Sequence, residues 1–254
     1  MYIYMIFVFF ISGAILGSFY NVVGYRLPKG ESIISPPSHC PKCNHRLGAL
    51  ELIPIVSYIL LKGKCKHCNT KVSAFYTVFE LLTGLLFALA FISYGLSLEL
   101  IIALTFISML VIIVVSDYNY MIISDEVLIF FSILLGIEIF FIHGTDAFLS
   151  SIISALLAFI TMLLIKLGGD KLFKRESMGG GDIKLMFVFG LVLGYPMTIV
   201  SIFLGSIIGL VISLITLRKN PEHIIPFGPF LAIGALIIVL LQINPDMILE
   251  IYNL

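Results

Sequence analysis

Long apolar runs, separated by short polar stretches, set the pattern of this chain. Eight can be read off: 2–25, 74–94, 98–116, 126–142, 147–167, 183–195, 198–217 and 226–243. A bilayer's hydrocarbon core of about 30 Å needs about 20 such residues in a helix. The pattern therefore predicts an all-α polytopic membrane protein with about eight transmembrane helices. The run 183–195 is short, and 126–142 and 226–243 slightly so, shortfalls that tilt can absorb. Composition agrees. The chain is 60% hydrophobic and 12% charged, against roughly 25% charged residues in soluble domains, and its mean hydropathy is +1.13. The first run has no basic segment ahead of it and no small-residue cleavage site. It passes unbroken into Gly24-Tyr25-Arg26, so it is expected to remain a helix rather than act as a signal peptide.

The net charge is zero, but the positive charge is not spread evenly. Lys and Arg fall at 26, 29, 42, 46, 62, 64, 66 and 71, at 166, 171, 174, 175 and 184, and at 218 and 219. Alternating eight spans puts all three groups on one side, and the loops near 95, 145 and 196 contain neither residue. Positive charge marks the cytoplasmic side. The expected topology has both termini outside and the loops 26–73, 117–125, 168–182 and 218–225 in the cytoplasm. Topology accounts for the basic residues, so no nucleic-acid partner is expected. Three parts follow: 1–25 as the first transmembrane helix, 26–73 as a cytoplasmic loop domain, and 74–254 as the transmembrane core. No internal repeat or low-complexity tract is evident. Within the loop, the apolar stretch 52–61 is too short to span, and Pro54 marks a turn before a short helix.

That loop holds all four cysteines, as Cys40-x2-Cys43 and Cys65-x2-Cys68. Paired C-x2-C knuckles present four thiolates at tetrahedral spacing, which suits zinc. A disulfide fits poorly with a reducing cytoplasm, and redox-active thiols are a further alternative. His39, His45 and His67 are nearby, either as substitute ligands or as solvated loop residues. With all four positions filled by sulfur, the site reads as structural. Metal binding would supply the folding free energy that so small a loop lacks.

Two carboxylates stand out. Asp182 follows Gly179-Gly180-Gly181 at the start of one apolar run, and Asp117 ends another. An ionisable group at the bilayer centre costs about 2.5–3.5 kcal/mol, so such residues are rare and tend to be functional. The expected topology puts both near the cytoplasmic surface. For Asp182 the structural alternative is a first-turn acid favoured by the helix dipole; for Asp117 it is an interfacial acid closing a span. Together at one depth, the pair suggests acid–base catalysis by a carboxyl dyad. Gly179 and Gly181 would give substrate backbone close access to it. Asp125 competes with Asp117 for the first position, although Ser124-Asp125-Glu126 reads as a helix start. Glu80 and Glu138 lie unexplained in apolar runs. Gly13 and Gly17 form a G-x3-G pattern that suits helix packing.

With these motifs the chain resembles the type IV prepilin peptidases, membrane aspartyl proteases of the GxGD kind. The residues that carry the likeness run almost end to end. They are Gly17-Ser18-Phe19 with Asn21-Val22 and Tyr25-Arg26-Leu27-Pro28; Cys40-Pro41-x-Cys43; Ile53-Pro54 with Ser57-Tyr58; Gly63-Lys64-Cys65-x2-Cys68; Gly179-x-Gly181-Asp182-x-Lys184-Leu185; and Pro226-Phe227-Gly228-Pro229. The resemblance implies cleavage of the basic leader of prepilins or pseudopilins at the cytoplasmic membrane face, with Asp117 and Asp182 as the catalytic pair. It also implies N-methylation of the new terminus with S-adenosylmethionine, an activity associated with the cysteine loop; Glu80 is the one candidate for the methyl-donor site. The competing readings are a peptidase that does not methylate and a transporter with a proton-relay aspartate pair.

Overall fold

The computed structural model describes residues 1–219 and 225–247, and among these it is helical, with no strand beyond two isolated bridges. The expected cytoplasmic connection 218–225 and the C-terminal end lie largely outside the described residues. The chain divides into two compact units, Met1–Gly95 and Leu96–Leu254.

The first unit contains α1 (Tyr2–Arg26), α2 (Val56–Leu60) and α3 (Ala74–Tyr94), with 3-10 turns at Leu27–Lys29 and Ala49–Leu52. Helix α2 is the short helix expected after Pro54. Helix α3 begins at Ser73, whose hydroxyl accepts the Phe75 N–H at 3.2 Å, a side-chain N-cap. Glycines let α1 and α3 approach closely. A β carbon on Gly13 would lie 2.7 Å from the Thr83 carbonyl oxygen, and one on Gly84 2.8 Å from that of Phe10. Backbones this close are typical of membrane helix pairs, where association depends on packing rather than on expelling water. Phe9 stacks on Phe91 at 4.8 Å, and the Asn21 amide donates to the Tyr76 carbonyl at 3.0 Å.

The second unit contains α4 (Glu99–Tyr120), α5 (Asp125–Phe173), α6 (Gly180–Leu193), α7 (Tyr195–Lys219) and α8 (Gly228–Leu240). Helix α4 forms its core, with Phe106, Ile107, Met109, Leu110 and Val115 fully buried. The segment α5, Asp125–Phe173, is two helices that meet at a kink. Its backbone breaks at Gly144 (φ 83°), a conformation that favours glycine. The apolar runs 126–142 and 147–167 thus fall on two helices joined at the Gly144 kink. Gly190 brings α6 against α5: a β carbon there would lie 2.6 Å from the Ser154 carbonyl oxygen. Gly205 likewise brings α7 against α8: a β carbon there would lie 2.7 Å from the Phe230 carbonyl oxygen. Between α4 and α5, the Thr105 hydroxyl donates to Glu138 at 2.8 Å, which ties this otherwise unexplained acid to a neighbouring helix.

Among the described residues five helices, α1, α3, α4, α5 and α7, are long and apolar enough to cross a membrane. At 14 and 13 residues, α6 and α8 are shorter.

Candidate active site and metal centre

Asp117 lies in the last turn of α4 and is buried. The chain turns sharply after it. Met121 adopts the left-handed conformation (φ 55°), its N–H returns to the Asp117 carbonyl at 2.8 Å, and the Ser116 hydroxyl donates to the Ile122 carbonyl. Oδ2 of Asp117 accepts the backbone N–H of Gly228, at the start of α8, at 2.9 Å in a buried hydrogen bond. Asp182 is the third residue of α6 and is half-buried. Extended Gly179 caps that helix, and the free N–H groups of the first turn favour a carboxylate there. The two acids are close enough for the charge of Asp117 to act on Asp182. Two such carboxyls do not both ionise readily, so one tends to keep a proton that the other lacks.

The glycines around Asp182 do different things. A β carbon on Gly180 would meet open space, and one on Gly179 would lie 3.5 Å from Oδ2 of Asp182. One on Gly181 would lie 2.8 Å from Cβ of Ile123, so that glycine makes room for the turn between α4 and α5. Asp125 points elsewhere. Exposed in the first turn of α5, it accepts from Lys184 Nζ through both oxygens at 2.8 and 2.7 Å. Ser124, rather than Asp125, stands at the N-cap. Asn119 donates to the Val115 carbonyl at 2.7 Å within its own helix. Sequence reasoning gave Gly228 no individual role, and its only local signal is the pair of prolines around it.

The cysteine loop folds into two like-shaped knuckles. In one, Cys40 N–H donates to the His45 carbonyl and Asn44 N–H to the Cys40 carbonyl, both at 2.9 Å. In the other, Cys65 N–H donates to the Thr70 carbonyl at 2.9 Å and Asn69 N–H to the Cys65 carbonyl at 3.0 Å. Asn44 and Asn69 both adopt positive φ (54° and 55°), which asparagine tolerates better than most residues. The repeated Cys-x2-Cys-Asn was a signal of this pairing that the search for repeats passed over.

The four sulfurs lie within 4.8 Å of one another. The Cys40–Cys68 separation is 3.7 Å and the Cys43–Cys65 separation 3.9 Å. Tetrahedral zinc with Zn–S near 2.3 Å requires about 3.8 Å between sulfurs. The donor set therefore fits a soft, four-coordinate metal, with no histidine in the cluster. His45 instead stacks on His67 at 3.6 Å and faces Glu51 at 3.2 Å, and His39 meets the Pro37 carbonyl at 2.9 Å. Thr70, through its hydroxyl and then its backbone, draws the Cys68 thiol down to about 6, toward the thiolate that a metal binds.

Glu80 is buried in α3, and its Oε2 accepts the Ile55 N–H at 2.8 Å. Ile55 has φ 63°, strained for a β-branched residue, so this bond braces the turn into α2. That oxygen is thus committed to the loop backbone.

Helices of membrane length and two interacting carboxyls at helix ends define a class: polytopic membrane proteins that hold paired acids where their helices begin and end. Comparison with known proteins narrows it. Residues 11–94 match the Bacterial Peptidase A24 N-terminal domain, and residues 104–214 match the Type IV leader peptidase family. A prepilin leader peptidase/N-methyltransferase of Bacillus subtilis is 38% identical over 251 residues, covering 98% of each chain. One of Myxococcus xanthus is 35% identical over 84% of this chain and 64% of its own length, and one of Neisseria gonorrhoeae 31% identical over 89% and 87%. The chain belongs to the type IV leader peptidase family. No solved structure matches it.

Proposed function

We propose that this protein is a bacterial membrane enzyme that removes the leader from prepilins or pseudopilins and methylates the new terminal amine. One observation carries the peptidase reading: the buried Asp117, held by the Gly228 N–H and acting on Asp182, in a chain aligned from end to end with a prepilin leader peptidase/N-methyltransferase.

In the reaction the ionised member of the dyad takes a proton from water, and the resulting oxygen nucleophile attacks the scissile carbonyl. The protonated member gives its proton to the carbonyl oxygen. Collapse of the tetrahedral intermediate then breaks the C–N bond as a proton passes to the leaving amine. Gly179, the N-cap of α6, and Gly180, its first residue, supply the clearance for substrate backbone beside Asp182. Gly181 serves this indirectly, by letting the Ile123 turn close on α6. Zinc at Cys40, Cys43, Cys65 and Cys68 would be structural. S-adenosylmethionine, when bound, supplies the electrophilic methyl group that the new amine attacks.

Eight crossings complete the proposed arrangement. The two arms of α5 count separately, and α6 and α8 are short spans. The termini are outside, and the acids and the 26–73 loop are at the cytoplasmic face of the inner membrane. The basic-residue partition supports this topology. Purified protein incubated with a type IV prepilin, with and without S-adenosylmethionine, tests both activities by mass spectrometry of the product. An intact prepilin removes the peptidase reading. A cleaved product that gains no methyl mass in the presence of the donor removes the second activity alone.

A further inference from the structure

We propose that Gly228 is a positioning residue for the dyad: its backbone N–H holds one named oxygen of Asp117 and leaves the other for chemistry. The inference deepens the proposed peptidase function and rests on it.

The start of α8 is built to present one donor. The first N–H groups of any helix lack partners within it. Gly228 is the first residue of α8 and Pro229, which has no N–H, is the second. The next two groups are committed, because Phe230 and Leu231 both donate to the Phe227 carbonyl, at 3.0 and 3.2 Å. Only the Gly228 N–H remains in this turn, and it meets Oδ2 of Asp117 at 2.9 Å in a buried bond. The positive end of the helix dipole reinforces it.

The residue type matters as much as the bond. A β carbon at position 228 would lie 2.6 Å from the same Oδ2 and 3.2 Å from Cγ. The carboxyl group of Asp117 occupies the space that any side chain would need. Glycine therefore does two jobs at once: it donates the hydrogen bond and leaves the carboxylate undisplaced. With Oδ2 pinned, Oδ1 is the oxygen left for water or substrate. A dyad works only if its two acids differ in protonation at each step, and a carboxylate free to rotate would exchange its two oxygens. Asp117 and Gly228 are 111 residues apart in sequence, so nothing local imposes the contact.

Two variants separate the two jobs. Replacing Gly228 by glycolic acid, through nonsense suppression in cell-free synthesis with nanodiscs, converts the amide to an ester. It removes the N–H and adds no atom near Asp117. Gly228→Ala keeps the N–H but displaces the carboxylate. Cleavage of a purified type IV prepilin is followed across pH, beside thermal unfolding, with Asp117→Asn as the inactive control. Both variants are expected to lose about tenfold or more in kcat with KM within about twofold, because the contact matters in the transition state rather than in binding. The pH profile of the ester variant should be displaced from that of the wild type, an effect a purely structural contact would not produce. Wild-type kcat and an unmoved profile in the ester variant overturn the assignment. So does a loss of activity that tracks thermal stability and leaves the profile of the remaining activity in place. If the wild-type chain leaves the prepilin intact, the peptidase reading fails, and the assignment falls with it.

Discussion

The two sites are assembled in opposite ways. The cysteine centre comes from one loop: two knuckles of the same shape, each closed by its own backbone hydrogen bonds and an asparagine at positive φ. The carboxyl site comes from helix ends far apart in sequence, namely the last turn of α4, the first turn of α6 and the start of α8. One would be stabilised by a bound metal, the other by the packing of long helices. The first should fail locally and reversibly when its ligand is withdrawn. The second should be sensitive to single side chains and indifferent to metal.

Substitutions at the acids are the most severe way to break this contrast. Asp117→Ala and Asp182→Ala should each lower kcat for prepilin cleavage by about 10²–10⁴-fold or more, the span attributed to general acid–base groups, while the protein still inserts and its knuckles still bind metal. Cleavage kinetics beside elemental analysis decide this, and substantial turnover by either variant removes it from the dyad.

Metal removal is the next largest effect, and it should stay local. Apparent zinc binding in small sites is worth about 10–16 kcal/mol near neutral pH, so chelation should leave 26–73 sensitive to protease and 96–247 unaffected. The metal-replete protein should contain one zinc per chain, and a Cys40→Ser/Cys65→Ser double variant none. Because thiols must lose protons to bind, affinity should fall as pH drops. Full zinc content in the double variant would sink the four-sulfur site.

Gly181→Val should act through packing. The added side chain collides with Ile123, and overpacking costs about 1–3 kcal/mol. Thermal stability in detergent should fall together with cleavage. Unchanged stability with lost activity would instead point to direct obstruction of substrate.

The smallest effect belongs to the exposed Asp125–Lys184 pair, since such pairs contribute about 0–1 kcal/mol. Asp125→Ala should cleave within about threefold of wild type. An inactive Asp125→Ala beside an active Asp117→Ala would exchange their roles.

What the sequence revealed followed the same division. The cysteine motif was legible because its ligands and spacing are local. Asp117 and Asp182 were legible because a carboxylate beside an apolar run is costly wherever it finally packs. The apolar runs located the helices, and 126–142 and 147–167 fall on the two helices that meet at the non-helical Gly144. Gly228 and the Gly181–Ile123 contact were out of reach for a different reason. Each is defined by a partner that only the tertiary fold supplies, and a glycine carries no mark of what will fill its space. Glu80 and Glu138 were visible as anomalies, but their explanations, the Ile55 N–H and the Thr105 hydroxyl, came only with the fold.

The long separation between Asp117 and Gly228 also has a consequence during synthesis. The 111-residue separation takes about 6–22 s to translate. Throughout that interval the nascent chain carries Asp117 without the amide that will orient it. Newly made or prematurely terminated protein therefore lacks an aligned dyad in a membrane that also holds potential substrates. On the proposed role of Gly228, synthesis of α8 acts as a built-in delay, and proteolytic competence arrives only once that helix is in place.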